Sequence, residues 1–311
     1  MREIEKAIGI DIGGTKTAVA AVDGDGRMHA SSHFETASKR GFSTCVSEVN
    51  EHVRRVLNEA KWAEDDLCGI GIGCAGPVNP ARGTIHNPYT LPGWDNADII
   101  TPLQQAFRVP VRLENDADAA VVGESEFGAG CSVSPLIMVT IGTGIGGAVL
   151  VDGKLYRGVN GEHPELGHIP VTADGPECYC GIRGCWESIA SGAAISLAAR
   201  AFGMADSYAV FAAAQNNPNA AATIQAAVSA TAKATWTLLH TFLPHRIILG
   251  GGIGENYFEL FADAMRQQIS RATQIPKGNV EILKARLGNA AGVIGAAALA
   301  FQNSEVLSKI P

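Results

Sequence analysis

Two stretches of this 311-residue chain repeat one pattern: an apolar run, a glycine-rich turn, a second apolar run and an Asp-Gly turn. They read IGIDIGGTKTAVAAVDGDG at residues 8–26 and MVTIGTGIGGAVLVDGKL at residues 138–155. Each stretch is typical of a β-hairpin, and the repetition predicts two related domains. Backbone amides exposed at glycine-rich turns bind phosphate oxygens, so two such turns facing one another would hold a polyphosphate. The repeat therefore favours a nucleotide-binding protein.

The rest of the chain alternates short apolar runs with longer helical patterns, which is typical of the α/β class. Its length favours two domains over one. The spacing predicts strands at residues 7–11, 17–22, 28–34, 68–75, 109–114, 135–141, 146–151, 153–158, 246–250 and 279–283. It predicts helices at residues 43–61, 117–127, 193–202, 220–242, 255–273 and 290–301.

The composition argues against several classes of protein. The net charge is −7 and the pI is near 5.6, so we expect no nucleic-acid partner. No segment supplies 18 uninterrupted apolar residues, so we expect no membrane span. The first strand begins too early to leave room for a signal peptide, and the expected location is the cytoplasm. In that reducing compartment, clustered cysteines are more often metal ligands than disulfides.

Three glycine-rich turns are candidates for nucleotide binding, although each alone is also explained as a tight turn. The candidate residues are Asp11, Gly13, Gly14, Thr15 and Lys16 in DIGGTK, Gly142, Thr143 and Gly144 in GTGIGG, and Gly250 and Gly251 in LGGGIG. Asp11 would orient a hydrated Mg²⁺, and the other residues would contact phosphate, ribose or base. GTGIGG formally fits the dinucleotide fingerprint, but a strand follows it where a Rossmann domain needs a helix. The chain also lacks the Walker motif of P-loop enzymes.

Five motifs, in this order along the chain, make it resemble the ROK family of sugar kinases and related repressors. They are DIGGTK, ENDADAAVVGE, GTGIGG followed by ELGH, CYCGIRGCWESIASG, and LGGGIG. The resemblance spans the whole chain and implies an actin-like (ribonuclease H-like) ATPase fold. In that fold two α/β domains enclose a cleft where ATP and a hexose meet. Because the family's last helix returns to the first domain, the expected domains are 1–117 with 291–311, and 118–290.

The candidate catalytic residue is Asp116. On the residues alone, Asp116 lies where a strand gives way to a helix, and it is equally well explained as a helix cap. The resemblance implies that Asp116 is the general base, which accepts the proton of a sugar hydroxyl as that oxygen attacks the γ-phosphate of ATP. Mg²⁺ would accompany the ATP. The resemblance also implies that Asn115 positions the sugar.

Other side chains are expected at the sugar because of the same resemblance. Glu165, His168 and Glu187 would hydrogen-bond the hydroxyls of a hexose. The chain departs from the family at Thr90, since many relatives carry Asn at this position before the Gly-Trp pair. Asn87 is the expected substitute, and the change leaves the identity of the sugar more open than the reaction.

Three cysteines lie within eight residues, at Cys178, Cys180 and Cys185, and His168 lies ten positions before the first of them. A loop of free thiols is one explanation. The general logic of Cys and His clusters and the family's H…CxCGxxGC motif both favour structural zinc held by all four side chains. The zinc would pin the loop and hold the neighbouring carboxylates in place for the sugar.

The resulting hypothesis is an ATP:hexose 6-phosphotransferase, with glucose as the first choice of substrate. N-acetylglucosamine, N-acetylmannosamine, fructose and mannose remain open alternatives, as does polyphosphate in place of ATP. A homodimer is expected, because soluble enzymes and this family commonly form one. A sugar-responsive repressor is the alternative from another class, but it needs a DNA-binding segment, and only ten residues precede Asp11. A glycosidase using Asp116 and Glu165 would leave the glycine turns without a purpose.

Overall fold

The computed structural model describes residues 4–36, 38–88, 90–274 and 280–301, and the chain divides into two compact units. Unit 1 comprises the described residues of 1–131, 157–163 and 289–311. Unit 2 comprises those of 132–156 and 164–288. The expected boundary at residue 117 falls at the start of a helix that belongs entirely to unit 1, so the structure places that boundary after residue 131.

The strands are β1 (Lys6–Ile12), β2 (Lys16–Asp23), β3 (Met28–Glu35), β4 (Gly69–Cys74), β5 (Val78–Asn79), β6 (Thr84–Ile85), β7 (Ala97–Asp98), β8 (Val111–Asn115), β9 (Leu136–Ile141), β10 (Ile145–Val151), β11 (Lys154–Leu155), β12 (Arg246–Gly250) and β13 (Glu281–Lys284). The α-helices are α1 (Phe42–Ala60), α2 (Ile100–Phe107), α3 (Asp116–Phe127), α4 (Glu187–Ala190), α5 (Gly192–Arg200), α6 (Ser207–Ala213), α7 (Pro218–Phe242), α8 (Gly252–Asn256), α9 (Phe258–Ser270) and α10 (Ala291–Phe301). No helix within the described ranges is both long and apolar enough to cross a bilayer.

The two units contain five-stranded sheets with the same topology. The order is β3-β2-β1-β4-β8 in unit 1 and β11-β10-β9-β12-β13 in unit 2. In each sheet the first three strands of the chain form an antiparallel meander, and the next two strands add in parallel. The repeat predicted from residues 8–26 and 138–155 is therefore present as two matching hairpins, β1-β2 and β9-β10.

Helix α10 completes unit 1 by lying directly on its sheet. Gly9 of β1 and Gly71 of β4 lie under the helix, and a Cβ atom on either would come within 1.9 Å of a carbonyl oxygen of α10. Gly295 of α10 packs equally closely on α3, because its own Cβ would lie 1.8 Å from the carbonyl oxygen of Ala119. These glycines bring backbones together and so fix the helix that begins beside the candidate catalytic carboxylates.

Each sheet has its own apolar core. In unit 1 the sheet packs against α1 and α2, and Trp94 is fully buried there. In unit 2 the sheet packs against α7 and α9, and Trp186 is fully buried there. The indole Nε1 of Trp186 donates a hydrogen bond to Thr231 of α7 at 3.0 Å, which satisfies the buried polar group and fixes the residue next to Glu187.

Several predicted elements differ from the structure. The helix expected at 255–273 is interrupted at Tyr257 and forms α8 and α9. The strand expected at 153–158 is shortened to β11, because the chain passes into unit 1 at residue 157. The sequence pattern missed α2, α4, α6 and the small sheet β5-β6-β7, all of them short.

Candidate functional site

Two carboxylates lie close together in unit 1. Asp11 is the next-to-last residue of β1, and Asp116 is the first residue of α3. Burial, and secondarily the negative charge of Asp116, raise the pKa of Asp11 to about 7, and Lys16 opposes the rise. Gly292 leaves room for the Asp11 carboxylate at the start of α10, where a Cβ atom would lie 2.5 Å from Oδ2. The pair fits a divalent cation, since a bound cation would favour the charged form of Asp11 against both burial and the repulsion of Asp116.

Asn115 supplies the cap of α3. Its Oδ1 accepts hydrogen bonds from the backbone amides of Ala117 at 2.8 Å and Asp118 at 3.4 Å. The alternative that Asp116 is the cap is therefore wrong, because Asp116 is already the first helical residue. Oδ1 of Asp116 accepts a 2.8 Å hydrogen bond from the amide of Ala117, which places the carboxylate at the N-terminus of α3.

Asn87 holds the loop that carries Thr90. Its Nδ2 donates to the carbonyl of Ala75 at 3.1 Å and to the hydroxyl of Thr90, and its Oδ1 accepts from the amide of Thr90 at 2.9 Å. The loop packs against the first glycine turn, because a Cβ atom on Gly14 would lie 3.0 Å from Cβ of Thr90. Asn87 is 1% exposed, and these contacts give it a structural role. Its contact with sugar stays a prediction.

A backbone hydrogen bond closes each of the two predicted glycine turns, and the unit 2 turn is one residue tighter. In unit 1 the amide of Gly13 donates to the carbonyl of Lys16 at 3.0 Å, and Gly14, Thr15 and Lys16 are exposed. In unit 2 the amide of Gly142 donates to the carbonyl of Gly144 at 2.9 Å.

The start of α5 anchors the unit 2 turn. The amide of Gly192 donates to the carbonyl of Gly142 at 2.7 Å, and the amide of Ala193 donates to that of Thr143 at 3.0 Å. Thr143 and Gly144 are exposed. Helix α5 therefore fixes the backbone of the turn, while Thr143 and Gly144 remain accessible to solvent.

A cavity of about 400 Å³ lies beside the unit 2 turn. It is lined by Gly142, Thr143, Gly192, Ala193, Ser196, Ser207, Tyr208, Gly252 and Ile253. Gly250 and Gly251 come just before the lining residues of α8. Gly251 has a φ of 80°, which turns the chain from β12 into α8 and presents the start of that helix to the cavity. No sequence motif pointed to three of the lining residues, Ser196, Ser207 and Tyr208.

The four predicted zinc ligands come together in unit 2. They are His168, Cys178, Cys180 and Cys185. One candidate ligand atom from each residue lies within 4.8 Å of all the others. Nδ1 of His168 is 3.4 Å from Sγ of Cys178, and Sγ of Cys180 is 3.5 Å from Sγ of Cys185. Three thiols and one imidazole fit tetrahedral zinc. The cluster therefore has the donors and the spacing of a structural metal site.

Local backbone structure forms the cysteine loop. The amide of Cys178 donates to the carbonyl of Ile182 at 2.8 Å, which closes a tight turn around Cys180. Gly184 has a φ of 74°, and a Cβ atom there would lie 1.9 Å from the carbonyl oxygen of Thr172. Glycine at this position therefore lets the chain bend back to deliver Cys185.

Glu187 links the cysteine loop with the glycine turn of the same unit. Its Oε2 accepts a 2.7 Å hydrogen bond from the amide of Ile145, directly after the turn. The side chain of Tyr179 hydrogen-bonds Glu187, and burial together with the charges of Glu187 and Glu165 raises the pKa of Tyr179. The ring of Tyr179 also meets that of His168 edge to face, with centroids 5.0 Å apart. The predicted sugar residues of unit 2 thus surround Tyr179, which the sequence analysis did not select.

A second missed group lies in unit 1. The guanidinium of Arg157 donates to the carboxylates of Glu114 and Asp118, and His163 Nδ1 lies 2.8 Å from Oδ2 of Asp118. Burial raises the pKa of Glu114 to about 7, although Arg157 lowers it. Glu114 and Asp118 lie in a motif quoted above, but nothing in the sequence pairs them with Arg157.

Comparison with known proteins identifies what the chain is similar to. The model of the ROK family matches residues 7–303. A glucokinase of Thermotoga maritima is 33% identical, and the match covers 94% of this chain and 96% of that protein. The structure of a ROK hexokinase from Thermus thermophilus has a TM-score of 0.82 at 32% identity, covering 96% of this chain and 98% of the other. A ROK family glucokinase of Streptomyces griseus, in complex with glucose and AMPPNP, has a TM-score of 0.79 at 31% identity, covering 96% and 100%.

Proposed function

The chain belongs to the ROK family, and from that premise we propose that it is an ATP-dependent kinase that phosphorylates the 6-hydroxyl of a hexose, with glucose as the first substrate. The observation that carries the proposal is the Asp116 carboxylate, set at the start of α3 beside a second carboxylate, Asp11. Relatives that match almost the whole chain support the assignment, since one is a glucokinase and another is a glucokinase structure with glucose and AMPPNP.

In this proposal Asp116 is the general base. Its carboxylate accepts the proton of the 6-hydroxyl while the sugar oxygen forms a bond to the γ-phosphorus, and the bond from that phosphorus to the leaving ADP oxygen breaks. Asn115 holds the strand-to-helix turn and so fixes the direction of the carboxylate. Asp11 would hold hydrated Mg²⁺, which when bound neutralises charge on the phosphates. In unit 1, Asn115, Asp116 and Asn87 are the proposed sugar contacts.

The proposed nucleotide contacts are the exposed residues of the glycine turns and the unit 2 cavity. Thr143 and Gly144 would present backbone to phosphate, and the first residues of α8 line the same cavity. A cavity of about 400 Å³ is within the usual range for small-molecule sites, which supports the base and ribose binding there. Lys16 would add a cation to the unit 1 turn.

In unit 2 the proposed sugar contacts are Glu165, His168 and Glu187. Because Nδ1 of His168 lies toward Cys178, Nε2 is the nitrogen left to meet a hydroxyl. The four ligand residues would hold zinc, which when bound fixes the loop and leaves the chemistry of phosphoryl transfer to other groups.

A substrate screen tests the function. Purified protein is incubated with ATP and Mg²⁺ and each of a dozen sugars, and ADP release is measured. We expect glucose to give the highest kcat/KM, with mannose and the two N-acetylhexosamines as the informative competitors. Polyphosphate replaces ATP in a parallel series, with sugar phosphate as the readout. If no sugar stimulates ADP release or sugar phosphate formation, the proposed function is wrong.

Replacement of the base gives the sharper prediction. Asp116→Asn keeps the shape of the side chain but cannot accept the proton, so we expect kcat to fall about 10²- to 10⁴-fold. Glucose affinity, measured by calorimetry, stays within a few-fold of the wild type. Asp65→Asn, at an exposed carboxylate, is the matched control and keeps normal turnover. Near-normal kcat in Asp116→Asn removes Asp116 from this role.

A further inference from the structure

We infer that Arg157 is a positioning residue for the catalytic carboxylate. Its guanidinium bridges the two sides of the turn that carries Asp116, an arrangement called the clamp below. The inference rests on the proposed function and assigns a part of its machinery to a residue that touches neither sugar nor nucleotide in the proposal. The clamp consists of Arg157, Glu114 and Asp118, all in unit 1.

The two carboxylates of the clamp lie on either side of the turn that carries Asp116. Glu114 belongs to β8 and Asp118 to the first turn of α3, so they flank the turn formed by Asn115 and Asp116. One nitrogen of the Arg157 guanidinium donates to Glu114, and the other donates to Asp118. A rigid planar fork that contacts both sides of a turn limits how far the turn can open.

Burial strengthens the contact of Arg157 with Asp118. The side chain of Asp118 is only 1% exposed, and its Oδ1 is buried without a hydrogen-bond partner in the described part of the chain. The carboxylate is therefore held by the partners of Oδ2, namely Arg157 and His163. Glu114 and Arg157 are each 20% exposed, so water competes only partly for their contact. Ion pairs exposed to water contribute little to stability, whereas a pair that is shielded from water keeps a defined geometry.

Hydrogen bonds connect the clamp to the Asp116 carboxylate. The amide of Asp118 donates to Oδ1 of Asn115, and the amide of Ala117 donates both to Asn115 and to Asp116 Oδ1. Displacement of Asp118 would loosen the cap, and with it the contact that sets the Asp116 carboxylate. General-base catalysis needs that carboxylate within hydrogen-bond reach of the hydroxyl, so a small displacement lowers kcat more than it weakens ground-state binding.

The test begins with Arg157→Gln, which removes the charge and the fork. We expect kcat to fall about 10- to 100-fold, while KM for glucose and for ATP stays within about threefold. Arg157→Lys retains the charge but not the fork, and we expect it to lose a similar part of kcat. Arg266 also contacts two carboxylates, Glu259 and Asp263, but at an exposed site, so Arg266→Gln is the matched control with unchanged kinetics.

A charge-balanced variant separates positioning from stability, because Arg157→Gln removes the cation between two carboxylates and lowers the melting temperature. The triple variant Arg157→Gln, Glu114→Gln, Asp118→Asn removes those charges along with the fork. We expect it to regain most of the melting temperature but not kcat. The inference is overturned if the triple variant regains both the melting temperature and kcat. It is also overturned if a folded Arg157→Gln or Arg157→Lys variant has the kcat of the wild type.

Hydrogen exchange provides a readout that needs no activity. We expect amide exchange at residues 116–119 to speed up at least about tenfold in the triple variant, with residues 262–269 of α9 unchanged. Unchanged exchange at 116–119 contradicts the clamp whatever the kinetics. If the wild type releases no ADP with any hexose, the proposed function fails, and the exchange result alone decides whether Arg157 orders the turn.

Discussion

Asp11→Asn offers the most direct test of the paired carboxylates. In the folded protein the pKa of Asp11 is raised from 3.8 to about 7, mainly by burial and then by the charge of Asp116. The folded state thus keeps a proton that the unfolded chain releases near pH 4. Since the folded state binds more protons, the free energy of unfolding falls as the pH rises from about 4 to about 7, and then levels off.

The size of the effect follows from the same shift. A rise from 3.8 to about 7 corresponds to a ceiling of about 4 kcal/mol. Because the residue keeps a small accessible surface, through which water screens part of the charge, we expect about half of that ceiling, about 2 kcal/mol, at pH 8. Asp11→Asn cannot acquire the charge, so above pH 7 the variant is more stable than the wild type by that amount. The corresponding gain in melting temperature is about 4–8 °C.

The assay is thermal unfolding of both proteins from pH 5 to pH 8.5 in buffer without Mg²⁺. We expect their melting temperatures to be closest at pH 5 and to separate as the pH rises toward 7. Adding Mg²⁺ at pH 8 should close the gap, because the cation stabilises the ionised wild-type pair. Asp65→Asn, at an exposed site, should show no such dependence. A gap that does not change with pH, or a less stable variant at pH 8, refutes the reasoning.

Two further predictions address the cysteine cluster and the contact between β4 and α10. We expect elemental analysis to find about one zinc per chain and Cys180→Ser to lose both the metal and at least about 90% of glucose binding. Cys131→Ser, at an exposed thiol outside the cluster, should keep both, and full binding in zinc-free protein contradicts the idea. Gly71→Ala places a Cβ 1.7 Å from a carbonyl oxygen of α10, so we expect a loss of about 3 kcal/mol or more in denaturant unfolding. Gly24→Ala meets its nearest atoms at 3.6 Å and should cost less than about 1 kcal/mol, and equal losses in the two variants refute the packing argument.

The sequence predicted the repeated hairpins because their signal is local. Apolar alternation and Asp-Gly turns determine β1-β2 and β9-β10 without help from the rest of the chain. The cysteine cluster was predicted for a similar reason, since three of its four ligands lie within one short loop. The structure brings His168 to the same place, as the family motif implied.

Other features depend on contacts between distant parts of the chain. Arg157 meets carboxylates 39 and 43 positions away in the sequence, and no spacing rule connects residues so far apart. The boundary after residue 131 was missed because α3 belongs with α10 near the other end of the chain, and only their close packing shows it. The break between α8 and α9 occurs at Tyr257, whose ring stacks on that of Phe211 with centroids 3.6 Å apart. That stacking is a tertiary contact, so the helical spacing of the sequence does not reveal it.

The matching registers of the two sheets place an aspartate and a threonine at equivalent positions of the repeat. In unit 1, Asp11 of β1 lies opposite Gly73 of β4, and in unit 2 the equivalent pair is Thr140 of β9 and Gly250 of β12. The carboxylate at this position in unit 1 would repel phosphate unless a cation lay between them, whereas the threonine in unit 2 carries no charge. In the proposed function the unit 1 copy would therefore hold Mg²⁺ through Asp11, and the unit 2 copy would contact phosphate directly through backbone amides. Under this proposal, two copies of one strand-turn-strand pattern would bind different groups, because one carries Asp11 where the other carries Thr140.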